Sequence, residues 1–348
     1  MGDVIRIGII GAGANTRSRH IPSLAAIDGV RIVCVANRSV ESGRKVAAEF
    51  DIPTVHSHWM DVVNDPDVDA VCIGTWPYLH APAAIAALEM GKHVLTEARM
   101  AMTTAEAREM LDAAQQSGRV AQVVPSPFGL AGERVVRELI ADGHSALGEV
   151  REIVLRALNA QLADPAGPLH WRQRADLSGV NVLMLGIYYE TLMRWFGLAE
   201  SVVAQAATFI PRRLDPATGA MGNVDIPDSI AVLARMAGGA QAVMHFSGQA
   251  HLGGGPRLEA YGSRGTLVYD FNTDTLSGAA AGAKELAPIP IPPAKRGGWR
   301  VEADFIDSIR DGRPVTHTSF ADGVRYMAFT EAARLSAEAG RRVALSEV

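Results

Sequence analysis

Two glycines near the start of the chain have the spacing that brings backbone amides close to a phosphate. Gly11 and Gly13 stand in the run GAGANT, after the β-branched stretch 4–10 and before a helix-forming segment. In a dinucleotide-binding turn, the first glycine permits a tight bend, the second allows a pyrophosphate to approach, and the following helix amides face the anion. Thr16 takes the third glycine position. The pattern predicts a dinucleotide site at Gly11, Gly13, Ala14, Asn15 and Thr16, with a purely structural turn as the alternative.

The end of the second predicted strand bears on the choice of dinucleotide. NAD-binding proteins usually place Asp or Glu there to accept hydrogen bonds from the ribose 2′-hydroxyl. This chain has Asn37, Arg38 and Ser39 instead. The acid that would repel a 2′-phosphate is absent, and Arg38 can bind phosphate or stack on adenine. NADP(H) is therefore the preferred cofactor and NAD(H) the alternative, while a solvated turn before a helix would also fit these residues.

The predicted secondary structure that positions these residues changes in type at residue 125. Before residue 125, short β-branched runs alternate with helical segments, which predicts βαβ units and a parallel, doubly wound sheet. After Pro125, strand-like runs dominate, which indicates a large open, mostly antiparallel sheet in an α/β domain. We predict a dinucleotide-binding Rossmann domain over residues 1–124 and a substrate-binding and oligomerisation domain over residues 125–348. The stretch 280–295 is predicted as an irregular surface loop, and 320–339 as a helix ending at Gly340.

Composition excludes several classes of protein. The 348 residues carry 33 basic and 38 acidic side chains, a net charge of -5, without the basic stripe that nucleic-acid binding needs. No apolar run approaches the roughly 20 residues of a membrane span, and no targeting segment is evident. Cys34 and Cys72 lie singly in apolar runs, which favours a reducing cytoplasmic location. No His/Asp/Glu cluster has metal-ligand spacing, so no metal is expected.

Several segments together resemble the Gfo/Idh/MocA family of sugar and polyol oxidoreductases. They are GAGANTRSRHIPSL, GTWPYLHAPAAIAALEMGKHVLTE, GIYYETLMRWFG, YGSRGTL and EADFIDSIRDGRP, and they extend over nearly the whole chain. The resemblance implies that nicotinamide and substrate meet between the two domains, and that the open sheet forms a homodimer or homotetramer interface. It also implies that Thr75, Trp76, His80 and Glu97 lie along the cofactor. A single histidine such as His80 is equally typical of a helix start or a packing residue.

The first departure from the family follows Glu97. The family's Glu-Lys-Pro motif reads Glu97-Ala98-Arg99 here, so the lysine that orients substrate and helps move the hydroxyl proton is missing. Arg99 cannot inherit the proton transfer, because a guanidinium stays protonated, but it can bind a carboxylate or stabilise an oxyanion. The alternative is a surface arginine on the loop.

The second departure surrounds Gly186. The family often has Asp two residues before this glycine and His two residues after it, whereas this chain has Met184 and Tyr188. Their spacing places Met184, Tyr188 and Thr191 on one helical face, which the resemblance directs toward the substrate. Tyr188 is the best acid/base candidate, although a phenol holds its proton until pH ~10 unless positive charge is near. An aromatic core helix is the alternative.

The run LHWRQRADLSG resembles the family segment that approaches nicotinamide or substrate. This implies substrate contacts for Trp171 and Arg172, with packing as the alternative, and His170 is the next candidate proton carrier. Arg99, Arg172 and Arg174 would suit an acidic substrate, although arginines beside a cofactor phosphate would look the same. The stretch 126–132 is expected to border the cleft.

Three functions fit these residues. The first is an NAD(P)-dependent oxidoreductase that acts on the CH–OH group of a sugar, sugar acid or cyclic polyol. The second keeps the cofactor bound and cleaves or eliminates without net redox change. The third is a non-catalytic nucleotide or metabolite sensor. The expected partner is a carbohydrate-like small-molecule substrate, and its identity depends on loop side chains whose arrangement the sequence does not specify.

Overall fold

The computed structural model describes residues 4–125, 129–141 and 146–348, so part of the predicted cleft border, residues 126–128, lies outside it. The chain divides into two compact units. The first comprises Met1–Pro125 with Arg300–Met327, and the second Ser126–Trp299 with Ala328–Val348.

The first unit is built on a six-stranded parallel sheet with strand order β3-β2-β1-β4-β5-β6. Its strands are β1 (Ile5–Ile10), β2 (Val30–Ala36), β3 (Thr54–His56), β4 (Ala70–Ile73), β5 (His93–Thr96) and β6 (Ala121–Val123). Burial on both faces explains their continuous apolar runs. The order reverses at β1, which pairs with β2 on one side and β4 on the other. In such sheets ligands bind outside the carboxyl ends of the strands at this reversal.

Five helices connect these strands. They are α1 (Ile21–Ala25), α2 (Val40–Phe50), α3 (Trp59–Asn64), α4 (His80–Glu89) and α5 (Thr104–Ser117). A π-helical turn, Thr16–His20, precedes α1. Ser39 begins α2 by accepting from the Ser42 amide, and Thr103 begins α5 in the same way through Glu106. Gly118, at φ 63°, ends α5 in the left-handed conformation that glycine adopts without strain.

The second unit contains a nine-stranded sheet with order β16-β15-β14-β13-β7-β12-β11-β8-β17 and a separate β9-β10 hairpin. Its strands are β7 (Val150–Leu158), β8 (Ala199–Ala207), β9 (Arg212–Leu214), β10 (Met221–Asn223), β11 (Ser229–Met236), β12 (Gln241–Ser247), β13 (Gly255–Gly262), β14 (Gly265–Asp270), β15 (Thr275–Ala280), β16 (Ala287–Ile289) and β17 (Val343–Ala344). Within this sheet, β12 and β7 pair in parallel and the other neighbours are antiparallel. The predicted fold class is confirmed.

The remaining helices are α6 (Glu133–Ile140), α7 (Ala175–Ser178), α8 (Leu185–Phe196), α9 (Val301–Asp311) and α10 (Phe320–Ala339). The predicted helix 320–339 is confirmed as α10, with Gly340 at φ 62° directly after it. The predicted surface loop 280–295 is exposed for most of its length but contributes the edge strand β16, so that prediction was incomplete. No helix in the described ranges is long and apolar enough to cross a membrane.

Candidate cofactor and substrate sites

A cavity of about 580 Å³ lies at the carboxyl ends of β1, β2, β3 and β4 in the first unit. Its wall contains Gly11, Gly13, Asn37, Arg38, Thr75 and Trp76 from the predicted cofactor site, together with Ser42, Ser57, His58, Trp59 and Tyr78, which were not predicted. The missed residues come from the start of α2 and from the loops after β3 and β4. Most of these residues closely follow a strand, and that position was a sequence signal that could have identified them.

The glycine turn explains why Thr16 stands at the third glycine position. Gly11 has φ 81°, and a Cβ there would lie 2.4 Å from Thr75 Cγ2. Thr16 Oγ1 donates to the Gly11 carbonyl at 3.2 Å. A Cβ on Gly74 would lie 1.9 Å from Thr16 Oγ1. The space usually left by the third glycine is thus supplied by Gly74, which directly follows the neighbouring parallel strand β4, and Thr16 fills it.

The start of the following helix fits a pyrophosphate. Arg17 N donates to Gly13 O at 3.0 Å, so the amides of Ala14, Asn15 and Thr16 precede the first intrahelical bond. Gly13 is exposed, and a Cβ there would meet only Gly74 O, at 3.5 Å. Unpaired helix amides behind an open glycine are the arrangement that binds phosphate groups of dinucleotides.

The described residues of the cavity wall at the end of β2 carry no acidic side chain. Asn37 Oδ1 accepts from Ala12 N at 3.4 Å, which keeps the side chain against the glycine turn. Arg38 is exposed beside it. Ser39 Oγ accepts from Ser42 N at 3.2 Å as the α2 cap, and Ser39 is not among the residues that line the cavity. Among the described lining residues there is no Asp or Glu, which keeps this wall compatible with a 2′-phosphate.

The fully buried His80 ring ties two loops together. Its Nδ1 lies 2.9 Å from Arg99 O, and its Nε2 lies 3.1 Å from Thr75 O. Burial lowers the pKa of His80, so the ring is neutral at physiological pH and donates to one of these carbonyls at a time. The ring thereby fixes Thr75, which lines the cavity, relative to the loop after Glu97. Positioning is the role that this geometry supports.

Glu97 belongs to a buried network that sequence reasoning missed. His20 Nε2 contacts Glu97 Oε1 at 2.9 Å, and His20 Nδ1 contacts Glu302 Oε1 at 2.5 Å. Asn15 Nδ2 also donates to Glu97 Oε1, and the Ala98 amide donates to Glu97 Oε2 at 3.1 Å. The network therefore joins the glycine turn, the loop after β5 and α9 within the first unit.

Charge in this network follows from the contacts. Burial alone would lower the pKa of His20, but the hydrogen bonds to Glu302 and Glu97 outweigh it and raise the pKa to about 9. Burial alone would raise the pKa of Glu97, but its bonds with His20 hold the pKa below the ordinary value. An imidazolium thus lies between two carboxylates at neutral pH. Glu302 shares a helical face with Phe305 and Ile306, which was a usable sequence signal for its burial.

Arg99 is not a surface arginine. Its side chain is 1% exposed, so the surface alternative was wrong. The peptide bond between Ala98 and Arg99 is cis. The next residue, Met100, donates its amide to the hydroxyl of Tyr326. Arg99 provides a buried positive charge inside the first unit.

One side-chain cluster in the first unit has metal-ligand composition. Donor atoms of Cys34, His56 and Asp65 all lie within 4.8 Å of one another. His56 Nε2 already bonds Asp65 Oδ2 at 3.0 Å, and burial raises the pKa of the Cys34 thiol to about 12. A protonated thiol is a poor metal ligand, so these residues are better explained as packed and hydrogen-bonded side chains.

The second unit holds its own cavity, of about 370 Å³. Its polar lining residues are Asn159, Gln161, His170, Arg172, Gln173 and Ser247, and Met184 lies among the apolar ones. Trp171 supports this wall from the side, because the Arg172 guanidinium carbon lies 4.3 Å from the centre of its ring. Three of the residues predicted for a substrate site, His170, Arg172 and Met184, line this one cavity. Arg174 is paired with Asp176 and Asp215 and does not line the cavity.

Tyr188 lies in an aromatic cluster on α8. Its ring centre is 5.0 Å from Phe271 and 6.2 Å from Phe246, and the residue is 7% exposed. Burial raises the pKa of Tyr188 to about 12. Thr191 is fully buried, and Met184 immediately precedes the helix, so of the three residues on the predicted face Met184 alone lines the cavity of the second unit.

Comparison with known proteins agrees with this architecture. Residues 5–124 match the model of the oxidoreductase family with an NAD-binding Rossmann fold, and residues 134–268 match the GFO/IDH/MocA C-terminal domain. The chain therefore belongs to the Gfo/Idh/MocA family of oxidoreductases, as the sequence motifs predicted.

Particular relatives refine the comparison. Levoglucosan dehydrogenase from Pseudarthrobacter phenanthrenivorans is 27% identical over 365 residues, which span 92% of each chain. The 1,5-anhydro-D-fructose reductase from Ensifer adhaerens is 33% identical over 194 residues, which span 55% of this chain and 56% of that protein. A solved levoglucosan dehydrogenase complex with NADH and L-sorbose has a TM-score of 0.86 at 25% identity and covers 98% of each chain.

Proposed function

We propose that this protein is an NADP-dependent oxidoreductase acting on the CH–OH group of a sugar, sugar acid or cyclic polyol. The observation that carries the proposal is the acid-free cavity at the strand-order reversal, which is lined by the glycine turn and the β2 end. Two relatives, a levoglucosan dehydrogenase and a 1,5-anhydro-D-fructose reductase, act on sugars, which supports a sugar as the reacting partner.

Gly11, Gly13 and the Ala14–Thr16 amides would hold the pyrophosphate of the cofactor, and Asn37 and Arg38 its adenosine end. When bound, the nicotinamide cofactor supplies hydride acceptor or donor chemistry. The protein must then orient the substrate carbon and handle one proton. We assign the proton transfer to the Tyr188 hydroxyl. Burial raises the pKa of Tyr188 to about 12, so the phenol keeps its proton at neutral pH and the role assigned to it is proton donor in the reductive direction.

Cofactor preference is tested at Asn37. Asn37→Asp is expected to weaken NADP binding at least about tenfold and to leave or improve NAD binding, because a carboxylate repels a 2′-phosphate and accepts from a ribose hydroxyl. The matched control is Asn64→Asp, an exposed position that does not line the cavity. Dissociation constants from protein fluorescence titrations give the comparison. Equal effects of the two variants on NADP, or a wild-type preference for NAD, would remove the NADP assignment.

The function is tested by nicotinamide absorbance. Purified protein with NADP⁺ is mixed with a panel of sugars, sugar acids and inositols, and the matching keto compounds are tested with NADPH. Sustained reduction or oxidation with at least one substrate class is expected. Product formation without any change in free cofactor would support bound-cofactor cleavage instead, and binding without any product would support a sensor.

We also propose that the open sheet of the second unit mediates a homodimer or homotetramer, and that the protein works in the cytoplasm. The sheet's outward residues include Val203 and Leu233, which are 39% and 51% exposed. Light scattering of the purified protein measures the assembly.

We further propose a functional domain boundary at residues 124 and 125.

A further inference from the structure

Two neighbouring strand ends in the first unit place basic side chains on one wall of its cavity. In the parallel pair β2 and β3, Ala36 lies opposite His56. Two residues beyond these partners, Arg38 and His58 both line the cavity, and both are exposed. Because neighbouring strands lie about 4.8 Å apart, side chains that follow paired strand ends can reach the same group of a ligand.

The polar side chains of this wall differ in whether they still have a proton to donate. The Ser42 hydroxyl donates to a backbone carbonyl at 3.0 Å, and the Ser57 hydroxyl donates to Asp61 Oδ2 at 3.2 Å. By contrast, within the described part of the chain the Arg38 guanidinium and His58 Nε2 take part in no hydrogen bond or ion pair. These two basic groups therefore remain available to a ligand.

The His58 ring is held in one orientation by two contacts with its own loop. Its Nδ1 accepts from the Met60 amide at 3.2 Å, which makes His58 the N-cap of α3. Its ring centre lies 5.4 Å from that of Trp59, which also lines the cavity. A neutral imidazole has one donor and one acceptor nitrogen. Since Nδ1 is the acceptor here, Nε2 carries the proton and offers a ligand a hydrogen-bond donor.

The acid of this loop, Asp61, does not line the cavity. Its Oδ2 accepts from the Ser57 hydroxyl and from the His58 amide at 3.1 Å, so it is bound to the loop itself. A ligand at this wall thus meets a guanidinium and an imidazole N–H, with no acid among the described lining residues. The oxygens of a phosphate dianion only accept hydrogen bonds, and charged acceptors of this kind make the stronger bonds.

We infer that His58 is a specificity-determining residue for the cofactor, whose Nε2 donates to the 2′-phosphate of NADP while Arg38 binds the same phosphate from the end of β2. In doubly wound folds the adenosine ribose lies at the end of the second strand, where an arginine can accommodate a 2′-phosphate. Discrimination between NADP and NAD then depends on the loop after β3 as well. The inference deepens the proposed function and rests on its NADP preference.

Fragments of the cofactor test the inference without turnover. The full chain is titrated in a calorimeter with 2′,5′-ADP and with 5′-AMP, which differ only in the 2′-phosphate. The wild type should bind 2′,5′-ADP at least about tenfold more tightly than 5′-AMP. His58→Asn should weaken 2′,5′-ADP binding about five- to tenfold, because a bond to a charged acceptor is lost, and should leave 5′-AMP within about twofold.

The choice of asparagine separates binding from folding. Asparagine is also a good N-cap, so the start of α3 and the midpoint of urea unfolding should be preserved in His58→Asn. His58→Asp keeps a cap as well but adds negative charge, so its affinity for 2′,5′-ADP should fall below that of His58→Asn. The matched control is His251→Asn, at an exposed histidine of the second unit, which should leave both affinities unchanged.

The outcomes separate the inference from the proposed function. A wild-type preference for 2′,5′-ADP that His58→Asn retains would reject the inference alone and leave His58 as a helix cap. Equal losses for 2′,5′-ADP and 5′-AMP would also reject it, because they would place His58 against the adenine. A wild type that binds both fragments equally would reject the NADP preference of the proposed function and the inference with it.

Discussion

Tyr188→Phe is expected to lower kcat by about 10²- to 10⁴-fold while the affinity for the cofactor stays unchanged. The change removes the phenolic hydroxyl that we assign to proton transfer, a role typically worth that factor. The phenylalanine ring keeps its packing against Phe246 and Phe271, so the free energy of unfolding should stay within about 1 kcal/mol of wild type. Steady-state kinetics and urea unfolding measure the two quantities.

Tyr189 provides a matched control for Tyr188. Its hydroxyl accepts from the Ala199 amide at 2.9 Å, and its ring stacks on Phe329 with ring centres 3.6 Å apart. Tyr189→Phe should therefore lower stability by about 1–3 kcal/mol and leave kcat unchanged. Unaltered kcat in Tyr188→Phe, or equal kinetic losses in both variants, would show that α8 contributes an aromatic core and no proton carrier.

His20→Leu is expected to lower the free energy of unfolding by about 3–5 kcal/mol at pH 6. The substitution removes the cation between Glu97 and Glu302 and leaves two carboxylates facing each other in a buried site. Glu97 also accepts a hydrogen bond from the Asn15 side chain of the glycine turn. Cofactor affinity should therefore fall as well. His251→Leu, a change at an exposed histidine, should leave the unfolding free energy nearly unchanged.

The effect of His20 should depend on pH in a defined direction. Folding raises the pKa of His20 from 6.5 to about 9, so its stabilisation is complete below pH 6.5 and is lost as the pH rises through 9. Folding lowers the pKa of Glu97, so that contribution is lost in acid instead. The difference in unfolding free energy between wild type and His20→Leu should shrink from pH 6 to pH 9 in urea titrations. A difference that stays constant would mean that His20 is neutral in the folded protein.

Local patterns predicted the elements that the structure contains. The alternation of strands and helices before Pro125 gave the parallel sheet, and GAGANT gave the turn at its strand-order reversal. Gly340 correctly marked the end of α10 because glycine adopts the left-handed conformation that ends helices. These features depend on residues close together in sequence.

Features that depend on distant residues were not predicted. His20 and Glu302 are 282 residues apart, and nothing near His20 in sequence reveals its partner. The burial of Arg99 depends on the packing of the loop after β5, which the pattern GKHVLTEARM does not encode. The strand β16 was missed because Pro288 suggests a loop, although an edge strand can accommodate a proline that donates no ladder hydrogen bond.

The donor and acceptor of each hydrogen bond around the second-unit cavity could not be predicted from the sequence either. The sequence shows that His170, Arg172 and Gln173 are neighbours. It does not show that main-chain amides donate hydrogen bonds to the side chains of Gln173 and His170. Chemistry that depends on backbone geometry of this kind requires the structure.

Transfer of deuterium tests hydride transfer most directly. A substrate found by the absorbance panel is prepared with deuterium on its hydroxyl-bearing carbons and incubated with NADP⁺, and the released nicotinamide is examined by NMR. We predict deuterium at C4 of free NADPH, on one face of the ring, in equal amount to the ketone formed. Deuterium that stays in the sugar product or passes to solvent, with no labelled free cofactor, would contradict the proposed function.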